Sequence, residues 1–236
     1  VGNETILLTK WQSIEYTTSQ NLDRRAYALM NAITVCPGAI SAWRKSAVVE
    51  AGGYLPDTLA EDTDLTWRVR LQGWQIETES NAIAFTEAPD SMRAFFRQRF
   101  RWAYGTLQCL WKHKKALCHE GFFGWLALPS LWMFQVVFQA LVPLIDIQVL
   151  YSLWGYLSAW SQRNTLMKDY QPLSAARESL MLVLVLYAVF LGVEMMAAVV
   201  AYRLERRSPK AVVWLFLQRF VYRQIMYAVV YKSFVT

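Results

Sequence analysis

An α/β unit, then an amphipathic helix lying in a membrane interface, then α-helical transmembrane segments: this is the order of parts that the sequence predicts. Three observations carry it. Residues 1–120 hold most of the acids and mix helical periodicity with short β-rich runs, whereas residues 121–236 are dominated by Leu, Val, Phe, Trp and Met. Between them, residues 92–112 combine aromatic side chains with a row of arginines, the composition of a helix that lies along a bilayer surface. Only 18% of the 236 residues are charged and 55% are hydrophobic, against about 25% charged in an average soluble domain. The net charge of +6 would suit nucleic acid or an anionic membrane surface. The apolar second half favours the membrane, and nucleic acid is not an expected partner.

Taken in order, residues 11–32 read as helix, because Trp11, Ile14, Glu15, Thr18, Leu22 and Ala26 recur at helical spacing with Asp23-Arg24-Arg25 on a charged face. Ile33-Thr34-Val35-Cys36, stopped by Pro37-Gly38, reads as a buried strand entering a turn. A short helix is expected within residues 39–50, broken by Gly52-Gly53. Ala60 to Gly73 carries helix punctuation, with acids at the positive end of the dipole, Leu65, Val69 and Leu71 facing inward, and Gly73 at the end. Residues 74–78 and 82–86 read as strands around Ser80-Asn81, and Asp90 or Ser91 is the expected N-cap of the next helix. In that helix Met92, Phe96, Phe100, Ala103, Leu107 and Leu110 form one stripe, while Arg93, Arg97 and Arg101 recur at i, i+4 and i+8. Packing on a soluble core is its other reading. The predicted domains are therefore residues 1–91, residues 92–120 and residues 121–236.

Two to three spans are expected in the last part. Ala127 to about Trp154 is long enough to cross a bilayer, though Pro129, Pro143 and Asp146 interrupt it. Ser179 to Tyr202 is the cleanest span, and Ala211 to Val235 a weaker third. The basic clusters Lys112-His113-Lys114-Lys115 and Arg203 to Lys210 would both be cytoplasmic by the positive-inside rule, with the loop over residues 155–178 on the far side. This makes an integral protein of the inner or plasma membrane with its first half in the cytoplasm. Glu194, Arg219 and Arg223 stand inside apolar sequence, where charge is costly. They would line a polar path for a saccharide, form an intramembrane ion pair, or be arginines snorkelling from an interfacial helix. The three cysteines make no CxxC pair and only two histidines are present. Neither a zinc site nor a disulfide framework is expected, and the thiols read as unpaired in a reducing cytosol.

Chemistry is concentrated at two places. Gln98, Arg101 and Trp102 fall at i, i+3 and i+4, so an amide, a fixed cation and a large aromatic plate share one helix face. Guanidinium forks grip phosphate oxygens, and indole faces hold sugar rings. Upstream, Glu61-Asp62-Thr63-Asp64 offers a carboxylate base. Spacing alone leaves plainer readings open. The acids could cap a helix, Trp102 could belong to an interfacial aromatic belt, and Arg97, Arg99 and Arg101 could all contact lipid phosphates.

Ala60-Glu61-Asp62 followed by Gln98-x-x-Arg101-Trp102 resembles the processive, membrane-integrated family 2 glycosyltransferases, among them the cellulose, hyaluronan, chitin-oligosaccharide and poly-N-acetylglucosamine synthases. Their marks are a Thr-Glu-Asp motif and a Gln-x-x-Arg-Trp motif. The second is matched in full, and in the first Ala60 replaces threonine. Cys36-Pro37-Gly38-Ala39 and Trp43-Arg44 resemble the family's acceptor region, and the surroundings look closest to the poly-N-acetylglucosamine-synthase-like group. The resemblance implies that residues 1–91 are the C-terminal half of a GT-A-type catalytic domain. It implies Asp62 as general base toward the acceptor hydroxyl, which attacks the anomeric carbon and inverts it, and Glu61 as a residue holding the acceptor. Trp102 would stack on the acceptor sugar, and Gln98 with Arg101 would contact the nucleotide diphosphate; Arg97 and Arg99 are left to lipid.

The implied partners are a UDP-sugar donor, with N-acetylglucosamine the expected sugar, a growing β-linked polysaccharide that passes through the protein's own spans, and the lipid bilayer. A divalent metal, Mg²⁺ or Mn²⁺, is implied through an Asp-x-Asp motif upstream of the first motif. Residues 1–59 contain none, since Asp23 and Asp57 stand alone. No metal ligand is therefore assigned, and the chain is expected to be the C-terminal portion of a synthase, inactive alone. The other reading is a non-catalytic membrane channel or scaffold whose cytoplasmic part binds a ligand.

Overall fold

Residues 1–79, 81–162 and 172–236 are described by a computed structural model. Helix α1 (Leu7–Glu15) runs through a π-helical stretch, Tyr16–Asn21, into α2 (Leu22–Ala28); α3 (Lys45–Glu50), α4 (Glu61–Leu71) and α5 (Met92–Lys112) follow. After a single 3₁₀ turn at Lys114–Ala116 come α6 (Leu128–Leu131) and α7 (Phe138–Gln162), with π-helical stretches Phe123–Ala127 and Trp132–Val137 before and between them. The chain then forms α8 (Pro172–Leu204) and α9 (Val213–Val235).

The described residues contain no strand or sheet, so the expected α/β unit with half of a GT-A domain is overturned. The reason lies in what the β-rich runs bond to. Residues 33–36 are extended along α4, where the Trp67 indole N–H donates to the Thr34 carbonyl at 2.7 Å and the Cys36 amide donates to Thr66 Oγ1 at 3.0 Å. In residues 74–78, the Ile76 amide donates to Asn31 Oδ1. The 82–86 run makes two backbone bonds, Ala82 N to Glu79 O at 3.2 Å and Gly2 N to Thr86 O at 2.8 Å, and beside it the Asn3 side chain bonds both backbone groups of Ala88. Backbone groups must find partners, and here side chains supply them without a neighbouring strand. β-rich residue types indicate a fit to a pleated surface, and they form a sheet only where another strand lies alongside. Ser80, in the expected turn, lies outside the described residues.

The helices agree better with their periodicity. Helix α4 begins among its acids and ends at Gly73, which adopts φ 89°, a left-handed value that glycine allows without a Cβ penalty. Its Trp67 is 0% exposed and packs in a cluster with Ala60, Cys109, Leu110, Phe123 and Leu128, joining α4, α5 and the start of the long apolar helix. A second cluster of Leu8, Trp11, Ile14, Phe95, Tyr202 and Tyr222 joins α1, α5, α8 and α9. Ser91 is the N-cap of α5, its hydroxyl accepting from the Ala94 amide at 3.4 Å.

The buried side of α5 is not the expected stripe. Phe95, Arg99, Gly105, Cys109 and Leu110 are buried, while Met92 is 50% exposed. Two neighbours share this helix: α9 lies against its first half, with Lys232 over the Phe96 and Phe100 rings, and the segment before α4 lies against its second half. No single stripe can serve both.

Two helices, Phe123–Gln162 and Leu173–Leu204, are long and apolar enough to cross a membrane, and most of their side chains face outward. The loop expected over 155–178 is helical to Gln162 and again from Pro172; residues 163–171 lie outside the described residues. Helix α9 carries its arginines toward α8. Glu194 pairs with Arg219 at 2.7 Å and with Arg223 at 2.6 Å, and the Arg219 guanidinium lies over the Tyr187 and Phe190 rings at 4.1 and 4.7 Å. Of the readings of these three charges, the structure contains the ion pair.

Candidate active site

The site begins where α4 starts. Its N-cap is Ala60, which offers no side-chain bond, so the acids of the first turn are left to other partners. Glu61 is exposed. Asp62 is partly exposed: its Oδ2 accepts from the Gly38 amide at 3.0 Å and its Oδ1 from the Thr63 amide at 2.8 Å. The Pro37-Gly38-Ala39-Ile40 turn therefore sits directly on this carboxylate, closed by Ile40 N donating to Pro37 O.

Asp64, one half-turn on, has the opposite environment. It is 0% exposed and bonded by Arg68 Nε at 2.7 Å, Lys112 Nζ at 2.9 Å and His113 Nε2 at 2.8 Å. Burial would raise its pKa, but the hydrogen bonds from His113, Lys112 and Arg68 outweigh burial and hold the carboxyl below the usual range. Asp64 is a structural anchor, and Asp62 is the carboxylate left available to a ligand.

Helix α5 comes very close to this point. A Cβ on Gly105 would lie 2.6 Å from the Ala60 amide nitrogen, 2.7 Å from the Ala60 Cβ and 2.9 Å from the Leu59 carbonyl carbon. Glycine is the residue that lets the two backbones meet. Around this contact Gln108 Oε1 accepts from the Leu59 amide at 2.8 Å, the Cys109 thiol points to the Ala60 carbonyl at 3.7 Å, and Lys112 reaches Asp57 at 2.7 Å. Burial, with Asp64 nearby, pushes the Cys109 thiol up to about 12, so it serves packing and not nucleophilic chemistry. Ala60 is buried under Gly105, which makes this motif position one of packing.

Trp102 and Gln98 lie one and two turns before Gly105 on the same side of α5. Trp102 is half-buried, with the Tyr16 ring at 6.1 Å and the Arg99 guanidinium 4.3 Å from its centroid. The Oε1 of Gln98 is buried without a hydrogen-bond partner, an unmet acceptor of the kind that ligands complete. Arg101 is exposed. The fold thus sets Gln98 and Trp102 on the α5 face that meets the start of α4, with Arg101 at its open edge and Asp62 just beyond Ala60.

Sequence reasoning misassigned Arg99, which is not at a lipid surface: it is 2% exposed and paired with Glu15 at 2.5 Å. Its partners, 84 and 123 residues away in sequence, left no local signal. It also missed Gly105, although its spacing seven residues after Gln98 puts it on the same helix face. Trp43 and Arg44 lie elsewhere. Trp43 packs on the α3–α4 cluster, and Arg44 stacks over Trp74.

Among the described residues no group of three or more His, Cys, Asp or Glu side chains could hold a metal ion. Asp64 is taken up by Arg68, Lys112 and His113. These residues do not fit a metal-binding centre.

The poly-β-1,6-N-acetyl-D-glucosamine synthase of Staphylococcus aureus (strain COL) is 31% identical over 105 residues, covering 44% of this chain and 26% of the relative. That of Staphylococcus epidermidis (strain ATCC 35984) is 30% identical over the same length and shares. The matched part is thus about a quarter of the length of these curated relatives. No solved structure matches. Residues 3–202 match the family model described as glycosyl transferase family group 2, so the chain belongs to that family of glycosyltransferases.

Proposed function

We propose that this chain carries the acceptor side of a membrane-integrated hexosyltransferase that moves a sugar, N-acetylglucosamine, from a UDP-sugar to the non-reducing end of a growing β-linked polysaccharide. The observation that carries the reading is the seating of Gly105 on Ala60, which brings the α5 face bearing Gln98 and Trp102 to the start of α4, where Asp62 is partly exposed. In this reading the acceptor sugar lies on Trp102, and Glu61 helps hold it. Asp62 takes the proton of the attacking hydroxyl as its oxygen bonds the anomeric carbon. The nucleotide diphosphate leaves from the opposite side of that carbon, giving inversion, and Arg101 with Gln98 answers the charge that develops on it. Relatives of the staphylococcal kind make a poly-β-1,6-N-acetylglucosamine, which is the support for this sugar.

Family 2 glycosyltransferases commonly use a divalent metal, and the donor half with its metal would come from residues beyond these. The same reading has α7 and α8 crossing the bilayer, both basic clusters in the cytoplasm and the polymer leaving through the membrane part. In membranes carrying the full-length protein and supplied with labelled UDP-N-acetylglucosamine, Asp62→Asn should lower polymer formation by about a thousandfold, within the usual range for removing a general base, while membrane insertion is unchanged. Retained synthesis would refute the base assignment. No incorporation by the unaltered full-length protein from any nucleotide sugar would favour the channel or scaffold.

A further inference from the structure

We propose that Arg99 positions the Trp102 indole, and that Glu15 and Tyr222 hold Arg99 in place, so that the acceptor wall is tied to α9. The proposal rests on reading Trp102 as the plate on which the acceptor sugar stacks. The Arg99 side chain is 2% exposed. Its Nη2 donates to Glu15 Oε2 at 2.5 Å and to the Tyr222 hydroxyl oxygen at 3.0 Å, and the Tyr222 hydroxyl donates to the same Glu15 oxygen. The guanidinium carbon lies 4.3 Å from the Trp102 ring centroid, 5.1 Å from that of Phe95 and 5.6 Å from that of Tyr16. Phe95, Arg99 and Trp102 follow at i, i+4 and i+7, so all three stand on one side of α5.

A planar cation stacks on an aromatic face while its N–H groups donate in their own plane, which lysine cannot do. Arg99 therefore covers one side of the indole, and because Trp102 is only half-buried, the rest of the ring stays reachable. Burial alone would lower the Arg99 pKa, but Glu15 and the tyrosines outweigh it, so the group stays charged. Packing gives no reason for a charge here, since apolar residues often replace buried ion pairs without loss of stability. The three elements that meet at Arg99 also differ in kind: the end of α1 beside its π-helical stretch, the motif helix α5, and α9. π-Helical insertions recur at functional sites. A displacement of α9 against α5 would pull on Tyr222 and so turn the indole.

The test is ¹⁹F NMR of the membrane-embedded protein labelled with 5-fluorotryptophan, the Trp102 resonance assigned with Trp102→Phe, alongside kinetics with N-acetylglucosamine oligosaccharide acceptors. Arg99→Lys and Tyr222→Phe should both move the Trp102 resonance. Acceptor KM should rise about tenfold in Arg99→Lys and about threefold in Tyr222→Phe, with donor KM changed less than about twofold. Tyr222→Phe keeps the ring and its packing, so its effect does not depend on the buried charge being disturbed. A Trp102 resonance that stays in place in both variants overturns the proposal, as does an acceptor KM unchanged in Arg99→Lys while Trp102→Ala raises it. An acceptor KM unchanged in Trp102→Ala instead sinks the stacking role of Trp102, and this proposal with it.

Discussion

The two halves of α5 are built on different terms. From Gly105 onward almost every polar group is committed: Gln108 to Leu59, Cys109 to Ala60, Lys112 to Asp57 and Asp64, His113 to Asp64. Before Gly105, the buried Arg99 apart, the polar inventory is left open, with Gln98 Oε1 unmet, Arg97 and Arg101 exposed, and Trp102 held on one side by Arg99. One half fixes the helix to α4, and the other presents groups toward that junction. Asp64 and Asp62 repeat the contrast within a half-turn of α4, one bonded by Arg68, Lys112 and His113 and the other partly exposed.

Gly105→Ala attacks the contrast at its pivot. The new methyl group meets backbone atoms, which cannot move aside like the end of a side chain. It should cost about 2 kcal/mol of stability and also abolish polymer synthesis by lifting Trp102 away from Asp62; a thermal melt and an incorporation assay read the two effects. An active Gly105→Ala protein would mean that the junction is not the site.

Asp64→Asn should destabilise by about 3 kcal/mol, because the cations Arg68 and Lys112, and the His113 ring, lose their shared carboxylate. Asp62→Asn should leave the melting temperature within about 1 °C, a surface-like change. The folded state holds the Asp64 carboxyl below its usual value, so its stabilisation is present above that value and is lost as pH falls. The melting gap between the unaltered protein and Asp64→Asn should therefore begin to narrow below about pH 4 and close only well below it. The smallest effect is expected for Arg97→Gln, an exposed arginine on the same helix, which should change stability by less than about 0.5 kcal/mol and donor KM not at all. A donor effect there equal to that of Arg101→Gln would erase the distinction drawn between them.

Helix positions were legible because periodicity and caps are local: Ser91, the acids of α4 and Gly73 each act within a turn. The strands were not, because Ile33 to Cys36 and residues 82–86 show only a preference for extended backbone, and whether a partner strand lies alongside is a tertiary matter. In the candidate site, spacing put Gln98 and Trp102 on one helix face, and the family resemblance of the two motifs singled out Asp62 beside them. Arg99 gave no such signal, since its alternation with Arg97 and Arg101 imitates a basic surface, and its counter-ion Glu15 sits in another helix. Nor does residue type tell Asp62 from Asp64; that difference arises from Lys112 and His113, which reach one of them.

The shared carboxylate of Glu194 has a consequence for how the protein is assembled. Helix α9 carries two guanidinium groups, and lipid is a poor host for either. Translation delivers α8 first, so Glu194 is already in place when Arg219 and Arg223 emerge from the ribosome. The later helix can then exchange water for a waiting counter-ion, with the Tyr187 and Phe190 rings as a ready bed. The pairing with Glu194, and not apolarity alone, holds α9 against α8.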